Sequence, residues 1–173
     1  MTEPEKAARI LRETRYLSLA TVNPDGTPWI STIFTCYDKN LRFIWQSKKD
    51  ARHTQNLLAN PHVAINLYWV GPGEDNVDGL YIEARAKEIK GIKSVLASLK
   101  VFATTLLRSK FLSKEGFKLF LAHPEDFLLD APFRLYEAVP TKIHKFVPLE
   151  NWKDKYVDGR IVLNTEEITP FLK

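Results

Sequence analysis

The chain has 173 residues, 45% of them hydrophobic and 12% aromatic, with a formal net charge of +4. That composition excludes a disordered or low-complexity protein and fits a single domain, residues 1–173, with a sizeable core. The mild positive charge is spread along the chain, which suits a small anionic ligand and argues against a nucleic-acid partner.

Residues 1–15 are charged and lack the apolar run of a secretory signal. They open instead with a helix signature. Thr2 and Glu5 have capping-box spacing, and Pro4 sits in the first turn, where proline is tolerated. Ala7, Ile10 and Leu11 then share one face, as on a helix packed across a barrel end.

From Tyr16 the period becomes two. Leu17, Leu19 and Thr21 alternate with Ser18, Ala20 and Val22, and Asn23-Pro24-Asp25-Gly26 is a turn signal. Residues 29–37 are β-branched and aromatic and read as one second strand, followed by a turn at Asp38-Lys39-Asn40. Leu41, Phe43 and Trp45 alternate with Arg42, Ile44 and Gln46 in a third strand, so the three strands form an antiparallel meander.

A helix follows. Ser47 or Asp50 is placed to cap it, Ala51, Leu57 and Leu58 form its apolar side, and Asn60-Pro61 ends it. Residues 62–69 read as a fourth strand, 71–79 as a loop and 80–90 as a fifth strand. Residues 91–129 read as a helical insertion: Val95, Leu99, Phe102 and Leu106 follow helical spacing, and a second piece covers 113–121. Its most apolar stretch, 92–107, is broken by Lys93, Ser94, Ser98 and Lys100, so no membrane span is expected. An irregular linker, 124–132, leads to a strand over 134–147. Within it, Pro140 marks a bulge, a break or a sheet edge. Residues 160–163 are a last short strand. About six strands in tight antiparallel succession, with helices at the ends and in one insertion, predict a mainly β fold, a closed or split barrel.

Cys36 is the lone cysteine, so no intramolecular disulfide can form and a reducing cytoplasm is the expected location. Inside an apolar run it reads as a small core residue and not a nucleophile. His53, His62, His123 and His144 do not have metal-ligand spacing. There is no Ser-His-Asp signature and no glycine-rich nucleotide loop.

The informative block is Trp45-Gln46-Ser47-Lys48-Lys49-Asp50-Ala51-Arg52-His53. A strand delivers the chain to a cationic turn that opens a helix. Free N–H groups at a helix N-terminus, with Ser, Lys and Arg beside them, can hold an anion. Arg52 can grip a phosphate bidentately, and Lys48 and Lys49 act as point charges. The plainer alternative is a solvated turn with Asp50 as an ordinary cap.

The chain resembles the pyridoxamine 5′-phosphate oxidase-like family, the FMN-binding split barrels. The matching residues are Leu17-Ser18-Leu19-Ala20-Thr21, Gly26-Thr27-Pro28-Trp29-Ile30-Ser31-Thr32, Phe43-Ile44-Trp45, Ala51-Arg52-His53, Asn56-Leu57 and Asn60-Pro61-His62-Val63. The match covers residues 16–90. It is closest to a small branch of the family, distinct from the vitamin B6 oxidase itself, in which threonine-arginine-histidine usually occupies the turn. Residues 134–147 and Gly159-Arg160-Ile161 are similar to that branch's closing strands, and 91–129 match loosely.

The resemblance implies roles. Ile30, Ser31, Thr32 and Ile33 would run along the isoalloxazine ring. Trp45, Gln46, Ser47, Arg52 and His53 would hold the FMN phosphate, and the cationic turn itself adds Lys48 and Lys49 as candidate contacts. Two-fold dimers with flavins at the interface are implied, as is an FMN-dependent oxidoreductase acting on a small molecule. Many members carry lysine at His53, and the B6 oxidases carry basic residues at Ser31 and Cys36 and a C-terminal arginine-histidine signature that is not recognisable here. The substrate is therefore expected to differ from pyridoxamine phosphate. The alternatives are a deazaflavin or haem ligand, or a non-catalytic dimeric split barrel that has lost its flavin.

Overall fold

The computed structural model describes residues 1–72, 77–108, 113, 115, 122–128, 130–147 and 159–172. Helix α1 (Glu3–Glu13) starts as its sequence dictates. Glu5 N–H donates to Thr2 Oγ1, and Thr2 N–H donates to Glu5 Oε2 at 2.7 Å, closing the capping box. Ala7, Ala8, Ile10 and Leu11 are fully buried and join the barrel's inner cluster, so α1 stoppers one end of it.

Strands β1 (Tyr16–Val22) and β2 (Pro28–Phe34) form a hairpin in register from Tyr16↔Phe34 to Val22↔Pro28. Its turn needs Gly26, whose φ of +84° lies in the left-handed region. The predicted second strand does not run unbroken to Tyr37. It stops at Thr35 and resumes as β3 (Cys36–Tyr37), which pairs with β4 (Phe43–Lys48) and not with β1. At the break, the Thr35 hydroxyl donates inward, with the Ile44 and Cys36 carbonyl oxygens each at 3.1 Å.

Helix α2 (Arg52–Ala59) is followed by β5 (His62–Val70) and β6 (Val77–Glu88), an antiparallel pair from Val70↔Val77 to His62↔Arg85. Helix α3 (Ile92–Arg108) and a 3₁₀ turn, Pro124–Phe127, precede β7 (Phe133–Phe146) and β8 (Arg160–Leu163). Most of the predicted second helical piece, 113–121, and part of the predicted loop, 73–76, lie outside the described residues. The strands therefore number eight among the described residues, against about six expected. The split at Thr35 adds one strand, and the other is the short terminal strand, which the sequence offers as a candidate beside the six.

The sheet order is β2-β1-β5-β6-β7-β4-β3, with β8 added to β7. Its two ends, β2 and β3, are consecutive in the chain. The antiparallel sheet thus curls round on itself without hydrogen-bonding shut along β2 and β4, which makes it a split barrel. Pro140 sits at the β6–β7 bulge, where the register steps from Glu83↔Lys142 to Ala84↔Pro140. On its other side, β7 pairs with β4 up to Ala138 and with β8 from Ile143, so the proline falls in the gap between them.

Two apolar clusters form. Leu17, Leu19, Phe43, Trp45, Ile65 and Leu80 fill the barrel, each at most 2% exposed. Burying such a side chain stabilises by about 1.5–3 kcal/mol before ordering costs. The second cluster lies outside, where Val95, Leu99 and Phe102 of α3 cover Cys36, Ile44 and Leu135. That is the face the helical spacing predicts. No helix among the described residues is long and apolar enough to cross a membrane.

Candidate functional site

The cationic turn lies at the barrel end carrying the β1–β2 turn, beside the slit between β2 and β4. Its organisation differs in one respect from what the sequence predicts. Neither Ser47 nor Asp50 caps α2; the N-cap is Ala51, with no side-chain bond. Two other uses of side chains replace it. Ser47 Oγ is 2.8 Å from His53 Nε2. The Thr54 hydroxyl faces the carbonyl oxygens of Ala51, Lys48 and Lys49 at 2.6, 2.9 and 3.1 Å, and donates to one at a time. The turn is thus tied from within the helix.

Arg52 is held on two sides. Its Nε donates to Asn23 Oδ1 at 3.0 Å, and its guanidinium carbon lies 4.3 Å from the Trp29 ring centroid. Asn23 Oδ1 also accepts from Asn56 Nδ2 at 2.9 Å, and the same Nδ2 is 3.0 Å from Thr21 Oγ1. Asn23 Nδ2 donates to Thr27 Oγ1 at 2.8 Å. Both asparagines are buried. The two Nη groups of Arg52 have no partner among the described residues, so the fork keeps its bidentate face. Asp25 is the neighbouring acid. Its carboxylate accepts from the Thr27 hydroxyl and N–H, which with the Arg52 charge hold it below the usual carboxylate range.

The residues singled out from sequence separate by face. On β2, Trp29 and Ser31 lie on one side, with Trp29 Nε1 donating to Ser31 Oγ at 3.1 Å. Ile33 continues that side into the core, while Ile30, 65% exposed, and Thr32 face out. On β4, Trp45 is fully buried and stacks on Tyr136 with centroids 5.8 Å apart; its Nε1 has no hydrogen-bond partner among the described residues. Gln46 and Ser47 are half-buried, and Lys48 and Lys49 are exposed. His53 is buried, and desolvation pushes its pKa down, so at neutral pH it is an uncharged partner for Ser47. Ser47, Arg52, His53, Trp29 and Ser31 therefore gather around one end of the slit. The side chains of Trp45 and Ile33 are committed to the core.

Sequence reasoning did not single out Asn23, Asn56 and Thr21. One signal was available: Asn56 interrupts the buried face of a short helix between Thr54 and Leu57, and a buried amide needs partners. No cluster of three metal-ligating side chains occurs among the described residues.

The family model described as pyridoxamine 5′-phosphate oxidase matches residues 3–113. The pyridoxine/pyridoxamine 5′-phosphate oxidase of Crocosphaera subtropica is 33% identical over 60 residues, which is 35% of this chain and 28% of that protein's length. Among solved structures, a haem-binding protein from Mycobacterium smegmatis superimposes with a TM-score of 0.64 at 14% identity, covering 98% of this chain and 61% of its own. HutZ, the haem storage protein of Vibrio cholerae, gives 0.62 at 20% identity, covering 83% and 94%. At these identities the structural likeness is one of fold. The chain spans less than two thirds of the curated relative and of the mycobacterial protein.

Proposed function

Because the chain belongs to the pyridoxamine 5′-phosphate oxidase family, we propose that it binds FMN along β2 at the slit and serves as a flavin-dependent oxidoreductase on a small molecule. The observation that carries this is the fixed, half-satisfied Arg52 fork beside the start of α2. The donor set fits a phosphate monoester: Arg52 grips it bidentately, Lys48 and Lys49 add charge, and the first N–H groups of α2 add donors. His53 contributes a hydrogen bond through Ser47 and no charge.

When bound, FMN supplies the hydride chemistry, and the protein supplies position and electrostatics. Trp29 and Asn23 orient Arg52. Backbone groups of β2 meet the ring's polar edge, so no side chain is required as an acid or base. The second edge of β2 has no strand partner among the described residues, and Ile30 beside it is exposed. A second copy of the chain covers this surface in a homodimer, which removes an edge otherwise open to aggregation. We take residues 1–173 as one domain working in a reducing, cytoplasmic compartment, as the lone Cys36 favours.

The test is colour and melting. Purified protein is expected to absorb blue light as a flavoprotein, or to do so after FMN is added and excess removed. FMN at about 100 times its dissociation constant should stabilise the fold by about 2.7 kcal/mol. A colourless protein with no FMN-dependent melting shift would overturn the proposal. A Soret band on adding haem, with no response to FMN, would replace flavin by haem as the ligand.

A further inference from the structure

A cavity of about 510 Å³ opens at the other end of β1 and β2 from Arg52. Seven residues of extended strand, about 20 Å, separate the two ends. The cavity lies where α1 ends, where β2 breaks at Thr35, and where α3 passes. Its size falls within the range of small-molecule sites, about 300–1,000 Å³.

The walls are cationic. Arg12, Arg15 and Lys39 line the cavity, and none of them forms an ion pair among the described residues. Arg12 Nη1 donates to the Phe171 carbonyl, and Arg15 Nη1 to the Arg12 carbonyl. Each guanidinium is therefore anchored through one nitrogen, which fixes its fork without neutralising it. The one acid of the lining, Asp38, is engaged elsewhere: it accepts from Arg42 Nε and Arg42 N–H at 3.0 Å and from Asn40 N–H at 2.9 Å. Tyr37 lies in the same lining. Burial raises its pKa, while the charges of Arg15 and Arg12 oppose that rise, so both guanidiniums act on one spot. Thr35 and Thr105 also line the cavity, but their hydroxyls donate to backbone carbonyls, so the donors left for an anion are the three cations. Like charges brought together around a partly buried space are relieved by an anion.

We propose that this cavity binds the oxyanion of a small organic molecule, a carboxylate or a phosphate monoester, with Arg12 and Arg15 as forked donors and Lys39 as a point charge. The site goes beyond the flavin reading and does not require it. Its volume far exceeds that of a bare ion, so the ligand carries a body as well as a charged group. Arginine suits the planar recognition of either oxyanion.

Calorimetric titration of the full-length chain with phenyl phosphate, benzoate and benzyl alcohol tests the site. At least one of the two anions is expected to bind at millimolar concentration or below, more weakly as salt is added, and the neutral alcohol at least about tenfold more weakly. The tighter anion names the ligand class. Arg15→Gln should weaken anion binding at least about tenfold, the loss of one charge-assisted bond. Lys39→Gln, at an exposed turn position that leaves the α1 contacts intact, should weaken it severalfold and decides the matter if Arg15→Gln fails to fold. Phenyl phosphate can also occupy the Arg52 site, so Arg52→Gln isolates the cavity: benzoate binding and the cavity's share of phenyl phosphate binding should persist in it while FMN binding is weakened, and the two sites fail separately. No anion binding, equal binding of the alcohol, or wild-type affinity in the Arg15 and Lys39 variants would overturn the proposal.

Discussion

The Arg52 guanidinium lies 4.3 Å from the centroid of the Trp29 ring, while Asn23 Oδ1 holds its Nε from the side at 3.0 Å. The strand that carries Trp29 and the helix that carries Arg52 are thereby coupled through one cation. Arg52→Ala should weaken FMN binding about 10–100-fold, the range of a lost hydrogen bond between charged groups. Arg52→Lys should recover only part of this, because the fork and the stack are lost with the charge retained. Lys87→Ala is the control: Lys87 lies on β6, 3.4 Å from Glu137. Equal losses at positions 52 and 87, read by flavin fluorescence titration, would count against the phosphate assignment.

His53 gives a pH signature. Burial lowers its pKa from the ordinary 6.5, so the folded state favours the neutral ring. As pH falls, the unfolded chain takes up the proton first. The stability tied to neutral His53 is complete above about pH 6.5 and is lost as pH falls through that value toward the lower folded-state pKa. Melting temperatures of the wild type and His53→Gln should differ by a constant amount above about pH 6.5, and the wild type should lose ground below it. A difference independent of pH across that window would remove His53 as the titrating group.

The local signals in the sequence were accurate where the chain decides its own shape. The capping box of α1, the Asn-Pro-Asp-Gly turn, the bulge at Pro140 and the buried face of α3 are all set by residues within a few positions of one another. The split at Thr35 was not legible, because residues 29–37 are uniformly strand-forming. What breaks them is a choice of partner, β1 for one half and β4 for the other. The same holds at the site. Arg52 stands out in sequence, but its anchors Asn23 and Asn56 belong to a network spanning 29 and 33 residues. Ser47 reads as a cap by spacing, yet its hydroxyl goes to His53. Leu58 reads as apolar-face and is 75% exposed, because it projects about 100° round the helix from Leu57, and the face that packs carries His53, Thr54, Asn56 and Leu57.

Lys145 is 1% exposed, and its ammonium donates to Asp78 and lies 3.4 Å from Glu3 of α1. Arg9 of α1 stands 3.7 Å from the other Asp78 oxygen. These charges join α1 to the barrel it closes. Lys145→Met should cost up to about 3–5 kcal/mol, since it leaves the buried Asp78 with only the longer Arg9 contact and the Gly79 N–H. The pair Lys145→Met with Asp78→Leu should cost less than the sum of the two single changes, because it removes both members of the pair together. Urea denaturation measures both. Simple additivity would mean that the two groups do not act as a pair.

Cys36 is 2% exposed beneath α3, with Sγ 3.6 Å from the Ile44 carbonyl oxygen. Burial pushes its thiol pKa up to about 12. At about pH 8 that leaves roughly one molecule in ten thousand as the thiolate, the form that attacks electrophiles. A thiol-disulfide reagent should therefore leave the folded protein unmodified over minutes and react promptly once denaturant exposes the chain. The contrast matters for the proposed chemistry. If Cys36 is inert in the fold, electrons in a flavin-loaded protein have no cysteine partner, and turnover should survive Cys36→Ala, apart from the small packing loss beneath α3. Folded-state labelling as fast as in denaturant would place the thiol in solvent and reopen a redox role for it.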